Sequence, residues 1–408
     1  MFAEYTDLIA HFFFILFEAN IYGLYVACVV CDGASANRWY QEKCFIEKMP
    51  GSIEGVYMTE PFENRRVFFI SDPSHAFKKI VNSLCNFSHN IKLSIDDDLC
   101  DVSLRLLQLL WEEMNAEGIG ANLFGNFELG HFVKSKVSQM NVGNAIKTNG
   151  PPAIAMIKYA MEYWDKCKVS GNIPSSSAYY DADKKYKGYL KYAEMFSKLW
   201  SIINSKRVAM MKDSDDHLWI KTAFLPWFKD WQEESRQRGI EDLRIKNIDQ
   251  DEQELSNYFF TTAAAKDLIN MVTGIVSIVD HYGELYASTK FLLGVISSDV
   301  NEHSFGDVRE RVGDDKADDF AVSKASSDIA VTKAVGGTMQ LNALTGQPRN
   351  KRNSVAMTNT NYSPATSLDL RVLKNYREGM KLKVTTLRNS MSWDDEKNCF
   401  ISVPNVNL

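Results

Sequence analysis

The sequence has no surplus of positive charge: 46 Lys and Arg stand against 52 Asp and Glu in 408 residues, a formal net charge of -6. No global basic field draws this chain to nucleic acid, so any such contact must come from local patches or from another module. A G-x-x-x-x-G-K-[ST] segment is also lacking, which excludes the P-loop mode of nucleotide binding. No G-x-S-x-G elbow occurs, which argues against an α/β-hydrolase nucleophile. Cysteine is sparse and odd in number, seven residues at 28, 31, 44, 85, 100, 167 and 399, and the expectation is reduced thiols of a cytosolic or nuclear protein without disulfides. Cys28-x-x-Cys31 has the shape of half a zinc site, but it sits on the apolar run Leu24–Val30, where positions three apart face opposite sides of a strand. Buried structural thiols are the expected reading there. The apolar run Leu8–Phe17 is about half the ~20 residues a spanning helix needs, lacks the flanks of a signal peptide, and is closed by Glu18 and Asn20. It predicts a buried helix and no membrane partner.

What is present is core material: 45% of the residues are hydrophobic and 12% aromatic, enough for two or three folded domains. The spacing predicts a helix over 6–20, then a strand in LYVACVV ended by Asp32-Gly33. A helix over 34–48 and a loop over 49–66 follow, and then a buried strand VFFI (67–70) stopped by Ser71-Asp72-Pro73, with a helix over 74–85. Short apolar strands alternating with helices are the grammar of an α/β domain. Beyond residue 96 strand signals nearly vanish and helical patterns succeed one another to about residue 290. The aromatic residues of that stretch, Tyr159, Tyr163, Trp164, Tyr192, Phe196 and Trp200, are read as core packing rather than as a platform for bases. Residues 345–365 have no apolar period and read as a linker whose Arg349–Arg352 is either a short nuclear-import patch or solvated chain. Residues 368–388 carry six Lys and Arg among Leu and Val, an amphipathic helix pattern.

Two acidic residues, Asp32 and Asp72, close buried strands, where side chains of an α/β sheet project into the crevice that collects ligands. Each also suits a plain structural role, since Asp before Gly or Pro is common turn and helix-cap chemistry. A third carboxylate, Glu302, lies in SSDVNEHSFGDVR (297–309), where Glu302, Phe305, Gly306 and Arg309 fall on helical spacing. Its plain reading is a helix start with Asp299 as N-cap and Glu302 at the third position. The acidic DSDD at 213–216 reads as a solvated loop.

Taken in order, VVCDGASANR (29–38), FFISDPSHAFKKIVNSL (68–84) and SSDVNEHSFGDVR (297–309) resemble the marks of P-element-type DNA transposases and the THAP-domain-containing transposase-like proteins. The resemblance runs over about residues 20–315 and is strongest at these segments. It implies an α/β fold, an RNase H-like core interrupted by a mostly α-helical, GTP-binding insertion. On that reading residues 1–95 are the first part of the core, 96–290 the insertion, 291–344 the second part of the core and 345–408 a linker and tail. The resemblance implies Asp32 and Glu302 as catalytic Mg²⁺ ligands, with Asp72 and His75 just after the next strand. It implies Asp299 as a contact to GTP, and a nuclear, self-associating protein acting on DNA at transposon ends. Hard carboxylate oxygens suit Mg²⁺, which activates water or a 3′-hydroxyl in phosphodiester transfer. The first strands of such a core, with the first catalytic Asp, belong some tens of residues before Asp32, and only 31 residues precede it here. No Cys/His spacing supplies the family's zinc module. The expectation is therefore an incomplete core that does not cut DNA, the alternative being a domesticated remnant that binds nucleotide or protein without enzymatic work.

Overall fold

The computed structural model describes residues 25–47, 56–60, 64–85, 89–119, 127–132, 142–172, 174, 176–205, 208–248, 250–287, 289–296, 391–394 and 399–402, with Phe12, Ile15, Leu16 and Ala19 singly. The chain divides into two compact units, Leu16–Ser297 and a second comprising Met1–Ile15 with Ser298–Leu408. In the second unit, beside Phe12 and Ile15, the described part is an antiparallel pair, β6 (Met391–Asp394) with β7 (Cys399–Ser402). Asp299, Glu302, the linker and the amphipathic pattern of 368–388 lie outside the described residues. Of the helix expected over 6–20, the four described positions are helical.

The larger unit is built on a three-stranded sheet. β1 (Cys28–Cys31) runs parallel to β3 (Arg66–Ser71), and β2 (Tyr57–Thr59) pairs antiparallel on the other side of β3. Because β3 is central and covered on both faces, Val67 to Ser71 are all buried, which is why its sequence is a continuous apolar run rather than an alternation. β2 corrects the loop expected over 49–66: three residues gave no periodicity to read, and pairing with β3 makes them a strand. α1 (Ser35–Cys44) leaves β1 after the Asp32-Gly33 turn and ends at Cys44, four residues short of the expected helix end. α2 (Pro73–Leu84) begins one residue before the expected start, since Pro73 occupies the first helical turn, where its missing N–H costs nothing, and Asp72 caps it.

A second correction concerns residues 92–101. β4 (Lys92–Ile95) and β5 (Asp98–Asp101) form a hairpin in which Ile95 faces Asp98 across the two-residue loop Asp96-Asp97. Both loop residues have positive φ, 49° and 67°, the backbone of a type I′ turn. Asp tolerates that region without announcing it as Asn-Gly does, so the hairpin was not legible.

Helices then dominate: α3 (Leu104–Ala116), α4 (Val142–Thr148), α5 (Pro151–Ser170), α6 (Ala182–Lys185), α7 (Lys187–Ile203), α8 (Asp215–Trp219), α9 (Leu225–Lys246), α10 (Glu252–Leu255) and α11 (Thr262–Leu285). A π turn, Ile220–Phe224, joins α8 to α9 just before Pro226, which has no N–H to continue the helical ladder. The helices meet in an aromatic centre: Phe196 is fully buried, with ring centroids 4.6 Å from Tyr192, 5.6 Å from Phe224 and 5.7 Å from Phe77 of α2. Trp200, Tyr159 and Trp164 pack partly buried against the same core, whereas Tyr163 lies at the surface, 4.8 Å from Tyr179.

α11 is the helix that ties this layer to the sheet. By length and composition it is apolar enough to cross a membrane, yet most of it is buried inside the protein, and it packs on β3. A Cβ at Gly274 would collide with the Phe69 carbonyl and stand 3.0 Å from Ile70 Cγ1, so glycine is what lets the helix axis approach the strand. Farther along, Phe68 meets His281 at 5.4 Å and Tyr282 at 6.4 Å between ring centroids. Two polar residues of α11 reach partners on neighbouring elements. Asn270 Nδ2 donates to Gln41 Oε1 of α1 at 2.7 Å, and Asp280 lies 3.2 Å from His217 Nε2 while accepting from Lys221 Nζ at 2.8 Å. Burial pushes the Asp280 carboxyl up, but the contacts to His217 and Lys221 outweigh it and hold its pKa below the ordinary value.

Candidate functional site

The parallel register pairs Cys31 with Ser71, so Asp32 and Asp72 are the next residues of neighbouring strands at the same end of the sheet. The ladder continues one step beyond the strands, with Asp72 N–H donating to the Cys31 carbonyl at 2.8 Å. Strand C-termini are where α/β sheets bind ligands. The two carboxylates differ in surroundings. Asp72 is fully buried and its Oδ1 accepts the His75 N–H at 3.1 Å, with His75 Nδ1 3.6 Å away. It works as the cap of α2, as its position before proline suggests.

Asp32 is half-buried. Its Oδ1 accepts the Ala34 N–H at 3.0 Å and Asn37 Nδ2 at 2.7 Å, and Asn37 also reaches the Asp32 carbonyl at 3.3 Å. Among the described residues none donates to Oδ2. One oxygen is thus fixed by a short turn and the other is left for a ligand, an arrangement that fits a hard divalent cation. Among the described residues no group of three His, Cys, Asp or Glu is gathered to hold a metal. The neighbouring thiols are poor candidates, since burial, with the charge of Asp32 adding at Cys31, pushes both Cys28 and Cys31 up to about 11 and keeps them protonated.

Behind the Asp32-Gly33 turn is a charge cluster that the sequence reading missed. Lys79 Nζ, from α2, donates to the Gly33 carbonyl at 2.9 Å and to Asp267 Oδ2 of α11 at 2.5 Å. Arg38 of α1 donates to the same Gly33 carbonyl, and its Nη1 stands 3.8 Å from Asp267 Oδ2. The Asp267 carboxylate is buried beside these two cations. Gly33 fits because a Cβ there would overlap both Lys79 Nζ and Asp267 Oδ2. A usable signal existed: Asp267 is the lone acidic residue among apolar neighbours in AAAKDLINMVTGIV, and a carboxylate on a buried helix needs a cationic partner.

The acidic run at 213–216 is no ligand cluster by its geometry. Ser214 caps α8 through its hydroxyl, which accepts the His217 N–H, and Asp215 and Asp216 occupy the first turn, where acidic side chains complement the helix dipole.

No protein-family model matches the chain. No curated protein sequence matches it either. Among solved structures it is similar to the Drosophila P element transposase strand transfer complex, with a TM-score of 0.53 at 15% sequence identity, over 77% of this chain and 62% of that one. The chain therefore spans less than two thirds of that structure's length. At this identity the likeness is one of fold alone: a mixed α/β, largely helical architecture similar to that of the solved transposase.

Proposed function

We propose that this chain is a P-element-type transposase-like protein, in which an RNase H-like core carries Asp32 and Glu302 as ligands of a divalent cation. The observation that carries the reading is the parallel β1–β3 pair. It sets Asp32 at a strand end with one carboxylate oxygen fixed and the other without a donor among the described residues, in a fold similar to a P element transposase. Mg²⁺ bound there supplies the activation of water or a 3′-hydroxyl for phosphodiester cleavage and strand transfer. Asn37 and the Ala34 N–H orient the carboxylate. Around this centre the reading places DNA as substrate, GTP as a ligand of the helical region 96–290 contacted by Asp299, self-association, and a nuclear site of action.

Titration with Mn²⁺, followed by the electron paramagnetic resonance of the free ion, tests the site. Binding that weakens in both Asp32→Asn and Glu302→Gln supports the reading, and binding indifferent to both contradicts it. Incubation of supercoiled DNA with Mg²⁺ tests the activity: nicking that Asp32→Asn and Glu302→Ala both remove supports the reading, and nicking indifferent to both contradicts it.

A further inference from the structure

We infer that Lys79 and Asp267 are positioning residues for the Asp32 carboxylate, acting through the peptide group between Gly33 and Ala34. The inference rests on the reading of Asp32 as a cation ligand. The carbonyl of that peptide is Gly33 O, which accepts from Lys79 Nζ at 2.9 Å and from Arg38. Its N–H belongs to Ala34 and donates to Asp32 Oδ1 at 3.0 Å. A peptide group is planar, so two donors gripping the oxygen also set the direction of the N–H on the opposite side. The grip on Gly33 O is thereby transmitted through the Ala34 N–H to the carboxylate two residues earlier, and Asn37 donates to the same Oδ1 from the helix side.

Asp267 locates the donors. Its Oδ2 lies 2.5 Å from Lys79 Nζ and 3.8 Å from Arg38 Nη1, so one buried carboxylate draws both cations to one carbonyl. It also offsets their charge. Two uncompensated cations beside the turn would oppose a divalent ion at Asp32, and a buried carboxylate between them removes most of that field. The arrangement joins α2 and α11, 188 positions apart, to the short turn that bears the ligand, so that the placement of Asp32 depends on how α11 sits on the sheet. Groups behind a metal ligand that orient it are worth about 10- to 100-fold in metal affinity when removed.

The test separates positioning from folding. Mn²⁺ affinity and urea stability are measured on the full 408-residue chain for the parent, Asp32→Asn, Asp267→Asn and the double variant Lys79→Met/Asp267→Leu. Removing one partner leaves a buried charge alone and destabilises, whereas replacing both with apolar residues of similar volume restores stability. Expected is a double variant of near-parent stability whose Mn²⁺ binding is weaker by about tenfold or more. A folded double variant with parent affinity overturns the positioning role while leaving Asp32 as a ligand. If the double variant does not fold, the near-isosteric Asp267→Asn carries the same decision: folded with unchanged affinity, it overturns the inference. Mn²⁺ binding unchanged in Asp32→Asn removes the cation reading of the site and this inference with it.

Discussion

Lys79 Nζ and Asp267 Oδ2 stand 2.5 Å apart, joining helices whose residues are separated by 188 positions in the chain. The Asp267 side chain is 3% exposed and that of Lys79 28%, so the pair is buried on its acidic side and partly wet on the other. Breaking it by Lys79→Met alone strands the carboxylate beside a more distant Arg38. The expected loss is about 3 kcal/mol, the lower end for a buried pair because Lys79 is partly solvated. Urea denaturation measures it, and a loss within about 0.5 kcal/mol of zero, as at ordinary surface sites, would show the pair to be incidental.

Gly33→Ala tests the closeness of the turn to that pair. The added methyl would occupy the space of Lys79 Nζ and Asp267 Oδ2, so either the ion pair parts or the turn shifts. Destabilisation of about 1–3 kcal/mol is expected, as for other forced insertions into packed sites. Since the cause is space and not backbone conformation, Lys79→Ala in the same chain should reduce the additional cost of the methyl. Additive costs in the double variant would contradict the stated contact.

Two aromatic substitutions divide core from surface. Phe196, fully buried among Tyr192, Phe224 and Phe77, is expected to cost about 3–5 kcal/mol on replacement by Ala. Tyr163 is 36% exposed and its ring meets only the edge of the core at Tyr179, so Tyr163→Ala should cost about 1 kcal/mol. Thermal or urea unfolding of the two variants measures both, and equal costs would contradict this division of the helical layer.

Stability should fall with mild acid. Burial first, and then the Arg66 guanidinium 3.3 Å away, holds His281 below its ordinary pKa of 6.5, and burial likewise lowers His131. The folded protein therefore favours the neutral rings while the unfolded chain takes up protons sooner. The stabilisation is complete above about 6.5 and is lost as the pH falls from there toward the folded values. Urea midpoints between neutral pH and about pH 5 should decrease, and His281→Asn, which keeps an acceptor for Arg66 but cannot titrate, should flatten the decline. An unchanged slope in that variant would show that His281 does not contribute.

The parts of the structure that were legible in the sequence are those set by local chemistry. VFFI declared a strand covered on both faces, Asp72-Pro73 declared the start of α2, and the apolar helical periods declared the layer from α3 onward. What was not legible depended on partners far away in the chain. Tyr57–Thr59 is a strand only because β3 runs beside it, and the hairpin at Asp96-Asp97 rests on a backbone conformation that aspartate adopts without signalling it. Asp32 could be read as a strand-end carboxylate, but the clamp behind it required Asp267 to arrive from α11. Tertiary contact, not propensity, decides such cases.

Whether Asp32 ligates a cation is measured most directly by a crystal structure of the full chain soaked in Mn²⁺, read by the metal's anomalous scattering. The prediction is a peak at about 2.1 Å from Asp32 Oδ2, near the distance hard oxygen ligands give Mg²⁺. An ordered crystal with Asp32 visible, Mn²⁺ bound elsewhere and no peak at its Oδ2 would contradict it.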